Sequence, residues 1–138
     1  MGLFGELFSS NPSEVKDIVT KIKAYFVGIN PDLVRILQNE AIFYAEKESN
    51  YPKIQKAMSE GGDAEYCALL FIYLGTQDVI RRGEFHIYSG MVNAEGQVAC
   101  GIACDCIDRI VHLGHFDKDY AESRKASLND MLTDVGIG

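Results

Sequence analysis

The sequence lacks tryptophan, has only three prolines, and contains no long apolar run. Its longest apolar stretch, residues 67–74, is far shorter than the roughly 20 residues that a membrane-spanning helix needs. The apolar residues after Met1 follow no basic segment, so they do not form a secretory signal. We therefore expect a cytoplasmic protein that does not insert into a membrane.

Positive charge is also scarce. The 138-residue chain carries 13 lysines and arginines against 20 aspartates and glutamates, a formal net charge of −7. Nucleic-acid binding depends on cations that neutralise phosphates, and no segment of this chain is basic, so we expect no nucleic-acid partner. An acidic surface instead suits a basic protein partner.

The motifs of common enzyme classes are missing. The chain has no phosphate-binding glycine loop, no GxGxxG, GxSxG or HExxH, and no CxxC pair. We therefore predict no enzyme activity, no cofactor and no metal. The four cysteines, at positions 67, 100, 104 and 106, are expected to be free thiols that pack in the core.

One cysteine-rich stripe is a candidate metal site. Cys100, Cys104, Asp108 and His112 recur every four residues along one predicted helix. Neighbours four apart can share a metal, but the two ends of the stripe are roughly 18 Å apart along the helix axis. A closed site with four ligands from this helix is therefore not expected, and packing is the preferred interpretation.

Apolar residues recur at helical spacing along most of the chain, and polar or glycine residues mark the helix ends. Asn11, Asn30 and Asn50 stand at or near prolines that suit helix starts, Asp63 and Asp117 are expected caps, and glycines 28, 61 and 114 are expected stops. Residues 3–8 form an amphipathic turn that is expected to dock on the bundle or fray. The predicted helices span residues 12–27, 31–48, 52–60, 63–82, 94–113 and 117–134.

These patterns predict an all-α fold, a compact bundle of five to six helices in one domain, residues 1–138, with residues 1–10 frayed at most. The helix over 63–82 is apolar nearly all round, which is typical of a central helix. Residues 84–92 alternate and are rich in β-formers, which predicts a short extended or hairpin insert. Val98, Leu113 and Tyr120 are among the residues expected to face inward.

The insert supplies the candidate binding residues. In an extended segment Glu84, His86 and Tyr88 would point to one side, close to Arg81 and Arg82 at the end of the central helix. Such a group could hold an anion or transfer a proton. Alternatively, the arginines complement the helix dipole and the insert plugs the bundle.

A second candidate is an aromatic pocket between helices, which could bind a small apolar ligand. Five tyrosines fall on predicted inner or boundary faces: Tyr25, Tyr44, Tyr66, Tyr73 and Tyr120. Ordinary core packing is the alternative for residues at this spacing.

Three functions follow from these features. The first is a small acidic protein that acts by binding another protein, as an inhibitor, an immunity-like protein or an adaptor. The second is a small-molecule-binding protein or enzyme that uses the Arg81–Tyr88 segment. The third is a homo-oligomeric scaffold, such as a homodimer, in which a second copy covers the apolar faces of the central helix.

Overall fold

The computed structural model describes the backbone of residues 2–29, 31–82 and 92–134, and the side chains of residues 14–29, 31, 35–82 and 96–132. The predicted all-α bundle is confirmed, and no strand occurs in these ranges. The predicted extended or hairpin insert near residues 84–92 lies outside the described residues, apart from Val92, which begins a helix. The helices are α1 Gly2–Tyr25, α2 Pro31–Glu46, α3 Tyr51–Ser59, α4 Ala64–Arg82, α5 Val92–His112 and α6 Lys118–Asp134, with a 3₁₀ turn over Glu48–Asn50.

The predicted helix boundaries agree with the structure to within about two residues for α2 to α6. The exception is α1, which begins at Gly2 rather than near residue 12. The predicted turn over residues 3–8 is therefore part of α1, and the predicted helix start at Asn11 is wrong. Pro12 removes one backbone donor from the helix, but the apolar spacing on its N-terminal side continues the helical period and the helix continues with it.

The predicted central helix is α4, which packs against α1, α2, α5 and α6. Its buried residues occupy nearly every position from Cys67 to Ile80. Because these residues are covered within one chain, α4 does not need a second copy to bury its apolar faces. The predicted homo-oligomer stays a prediction.

Both aspartate caps that the sequence predicts are confirmed. The Asp63 carboxylate accepts a hydrogen bond from the backbone N–H of Tyr66 at 3.0 Å, and Asp117 accepts one from Tyr120 at 2.7 Å. Asn50 stands at the predicted N-cap position of α3, but its side chain makes no cap hydrogen bond. Its side-chain amide instead donates to the backbone carbonyl of Tyr44 at 2.9 Å, which ties the end of α2 to the next turn.

The reversal of the chain between α5 and α6 also follows the predicted glycine. Gly114 has a φ of 87°, a left-handed conformation that favours glycine. The backbone N–H of His115 donates to the Ile110 carbonyl at 3.1 Å, and that of Gly114 to Val111 at 2.9 Å. This pairing is a Schellman motif, which satisfies the last carbonyls of α5 and directs the next residues back towards α4.

Three residues predicted to face inward are exposed: Val98 by 47%, Leu113 by 38% and Tyr120 by 47%. The predicted inward face of α5 takes one residue every four positions. In a helix with 3.6 residues per turn, each such residue is rotated by roughly 40° around the helix axis from the one before. Ile110, Cys106 and Ile102 are buried, but by Val98 the drift has turned the side chain out of the core.

The helices α2 and α4 approach each other closely at Gly75. A Cβ atom on Gly75 would lie 3.2 Å from the backbone nitrogen of Ala41 and 3.3 Å from the carbonyl carbon of Glu40. Ala41 is itself fully buried. The small residues on both sides therefore permit backbone contact between the two helices.

We predict opposite effects for the same substitution at two helical glycines. In the α5 helix a Cβ on Gly101 meets no atom of the described residues within 4 Å, so Gly101→Ala should raise the free energy of unfolding by about 0.5–1 kcal/mol through helix propensity alone. Gly75→Ala should lower it, because the α2 backbone must move away. Urea unfolding of both variants checks this, and equal stabilisation by the two would contradict the close contact.

The side chain of Thr76 generates a second prediction. Its hydroxyl is fully buried in α4 and has no hydrogen-bond partner among the residues that the structure describes. Thr76→Val removes this unpaired group while keeping a branched side chain, so it should stabilise the protein by about 1 kcal/mol. Thr20→Val, at an exposed position of α1, is the control, since the Thr20 hydroxyl donates to the Lys16 carbonyl at 2.9 Å. A loss of stability in Thr76→Val, measured by thermal unfolding, would show that the Thr76 hydroxyl has a hydrogen-bond partner.

Candidate functional site

The two arginines of the predicted insert site lie at the end of α4 and contact carboxylates. Arg81 Nη1 lies 3.1 Å from Asp78 Oδ1, and Arg82 Nη1 lies 3.0 Å from Glu40 Oε1 on α2. The other predicted members, Glu84, His86 and Tyr88, lie outside the described residues.

Asp78 is also the partner of a tyrosine on α2. The Tyr44 hydroxyl donates to Asp78 Oδ2, and the Tyr44 ring stacks on Phe71 at 6.2 Å between centroids. Burial and the hydrogen bond to the carboxylate raise the pKa of Tyr44 to about 12. Tyr44 therefore remains a protonated donor, and this polar cluster joins α2 to α4.

The cysteines of the α5 stripe differ in their exposure. All four cysteines of the chain are free thiols; Cys104 is half-buried, and the other three are buried. Asp108 accepts a hydrogen bond from Lys125 on α6 at 2.7 Å. Among the described residues no three histidine, cysteine or acidic side chains are placed to hold one metal ion.

A groove that the sequence did not identify as a unit runs between α3, α4 and the start of α6. Its volume is about 470 Å³, within the usual range for small-molecule sites. Its lining includes a stripe along α4, Tyr66, Leu70, Tyr73 and Gln77, whose spacing of four, three and four residues follows one helix face. The remaining lining residues are Lys53, Lys56, Ala57, Glu60, Leu74, Phe116, Tyr120 and Arg124.

The floor of the groove is a hydrogen-bonded polar group. Tyr73 and Gln77 are buried, at 2% and 8% exposure, and Arg124 reaches both from α6. Arg124 Nε donates to the Tyr73 hydroxyl at 2.9 Å, and its Nη2 donates to Gln77 Oε1 at 3.4 Å. The hydrogen bond to Tyr73 raises the pKa of Arg124, which therefore keeps its charge.

Aromatic rings form one wall. Phe116 and Tyr120 make an edge-to-face contact at 4.9 Å between centroids, and Tyr66 stacks on His115 at 4.1 Å. Burial raises the pKa of Tyr66, so its hydroxyl stays protonated at neutral pH. The Asp63 and Asp117 caps fix the first turns of α4 and α6, and these turns carry Tyr66 and Tyr120.

The charge of the groove is opposite to that of the whole chain. Three cations, Lys53, Lys56 and Arg124, line it against one carboxylate, Glu60, although the chain has a net charge of −7. Lys53 and Lys56 are exposed and lie three residues apart on α3. An anionic group at this rim would meet two mobile ammonium groups beside an aromatic surface.

The predicted aromatic pocket is thus only partly the groove that the structure contains. Tyr66, Tyr73 and Tyr120 converge there, whereas the hydroxyl of Tyr25 donates to Asp105 at 2.7 Å and that of Tyr44 to Asp78. The sequence patterns did not predict the cations of the groove or Phe116 as part of it. The spacing of Lys53 and Lys56 was the available signal, but nothing in the sequence connects α3 with α6.

Comparison of the chain with protein-family models, with curated proteins and with solved structures found no match. Within the described ranges, no helix is long and apolar enough to cross a membrane.

Proposed function

We propose that the protein binds a small amphipathic anion in the groove between α3, α4 and α6, and so acts as a small-molecule-binding protein. The observation that carries this proposal is the combination of an aromatic wall with three cations in an otherwise acidic chain. Core packing explains buried aromatic rings, but it does not explain why the cations gather beside them.

Different residues of the groove would contact different parts of the ligand. Phe116, Tyr120 and Leu70 offer apolar surface to the body of a ligand, while Lys53 and Lys56 offer charge to its anionic group. Arg124 is held by Tyr73 and Gln77, so its guanidinium is ordered before any ligand arrives, which lowers the entropic cost of binding.

The experiment compares two fluorescent probes that share an aromatic body and differ in charge: anilinonaphthalene sulfonate, an anion, and phenylnaphthylamine, which is neutral. The protein should bind both and prefer the anion. Replacing both Lys53 and Lys56 with glutamine should weaken binding of the anion by about fivefold, the sum of two exposed charge contacts. The affinity for the neutral probe should not change.

Two variants serve as controls for this titration. The double variant Lys16→Gln, Lys23→Gln removes the same charge from exposed positions on α1 and should leave both affinities unchanged. Phe116→Ala should weaken both probes, because it removes part of the aromatic wall. Equal affinity for the two probes would contradict an anion site. If the protein self-associates and Phe116→Ala abolishes the association, the groove is instead the surface that contacts a second copy of the chain.

A protein partner, predicted from the acidic composition, is the second candidate function. The exposed residues at the end of α2 favour it. Phe43 is 56% exposed, and Glu46 and Glu48 are also exposed. Asp105 and Asp108 support it less, because Arg109 and Lys125 pair with them at 2.9 Å and 2.7 Å. The predicted role of the Arg81–Tyr88 segment in ligand binding remains a separate hypothesis.

A further inference from the structure

Arg124 brings a positive charge to the floor of the groove, where both of its hydrogen-bond partners are neutral. Its Nε donates to the Tyr73 hydroxyl at 2.9 Å, and its Nη2 donates to Gln77 Oε1 at 3.4 Å. Both partners are more than nine-tenths buried, and all three side chains line the groove. The floor is therefore a set of buried polar groups around one guanidinium whose charge the two partners do not neutralise.

Three other arginines of the bundle have a carboxylate as their partner. The guanidinium nitrogens of Arg81, Arg82 and Arg109 lie 3.1, 3.0 and 2.9 Å from a carboxylate oxygen. Within the part of the chain that the structure describes, no carboxylate pairs with Arg124. Arg124 is partly buried, and a charge withdrawn from water is stabilised by an opposite charge at hydrogen-bond distance. An anion is thus the group that this guanidinium lacks.

The groups that remain open at the floor are hydrogen-bond donors. The Tyr73 hydroxyl accepts from Arg124, so its own O–H is left to donate, and the Gln77 amide accepts through its oxygen, which leaves its two N–H groups. Neither these donors nor Arg124 Nη1 has a protein acceptor among the described residues. A carboxylate carries the required charge and only accepts hydrogen bonds, so it suits all three donors.

The cations of the groove come from two elements. Lys53 and Lys56 are exposed on α3 at the rim, whereas Arg124 reaches the floor from α6. We propose that the ligand of the groove is a dicarboxylate with an apolar middle. One carboxylate meets the two lysines at the rim, and the other accepts hydrogen bonds from Arg124, Tyr73 and Gln77 at the floor. This inference rests on the proposed function, because it specifies the ligand of the same groove.

The test is isothermal titration calorimetry of the full-length protein with carboxylates in matched pairs. Octanoate, decanoate and dodecanoate are compared with octanedioate, decanedioate and dodecanedioate, so each pair differs only in the second carboxylate. The dicarboxylate that fits best should bind about tenfold more tightly than the monocarboxylate of the same length, the effect of one hydrogen-bonded charge. The net charge of −7 disfavours unspecific binding of a dianion.

Two uncharged substitutions locate the second carboxylate. Tyr73→Phe removes one O–H donor, and Gln77→Leu removes the amide. Each should reduce the preference for the dicarboxylate to about threefold or less, because a hydrogen bond to a charged group is lost. The affinity for the monocarboxylate should change by less than about twofold, since its methyl end has no hydrogen bond to lose. Gln97→Leu, at an exposed position of α5, is the matched control and should keep the wild-type preference.

Circular dichroism establishes that each variant is folded, and Tyr73→Phe, which retains the ring, decides if Gln77→Leu does not fold. Suppose that the two members of every pair bind equally and that the Lys53→Gln, Lys56→Gln double variant weakens both. The groove is then an anion site, as proposed above, but the dicarboxylate is ruled out. A preference that both floor variants leave unchanged would also overturn this inference. If no carboxylate binds, both proposals fail.

Discussion

The structure depends on one constraint: α4 has almost no face that can be left in water. Its side chains are buried at most positions between Cys67 and Ile80, so helices must cover it on several sides. α1, α2, α5 and α6 provide this cover, and the contact with α2 leaves little room for a Cβ atom at position 75. The remaining helix, α3, is only nine residues long.

The groove follows from this arrangement because the cover is incomplete between α3 and α6. There the face of α4 that includes Tyr66 and Leu70 stays partly accessible, while Tyr73 and Gln77 lie at the bottom. The groove therefore has accessible apolar surface along α4 and polar side chains at its floor. Arg124 satisfies the polar groups, and the lysines of α3 add charge at the rim. The same packing that stabilises the bundle therefore leaves this groove between α3 and α6.

The helices were predictable from local sequence, whereas the site was not. Asp63, Asp117 and Gly114 mark helix ends through contacts with near neighbours in the chain, so their roles could be read from the sequence. The predicted start of the first helix at Pro12 was wrong, because a proline removes one hydrogen bond from a helix without always ending it. The groove joins Lys53 to Arg124, which are distant in sequence, and only tertiary packing brings them together.

We propose that the groove between α3, α4 and α6 holds an amphipathic anion. Amide NMR shifts, followed during titration with dodecanoate, a carboxylate with an apolar tail, locate the bound ligand residue by residue. A ligand in the groove should give saturable shifts that are largest for residues of α3, for the 66–77 face of α4 and for residues 116–124. Shifts centred on α1 or on the Arg81 end of α4, or no saturable shift, would rule out binding in the groove.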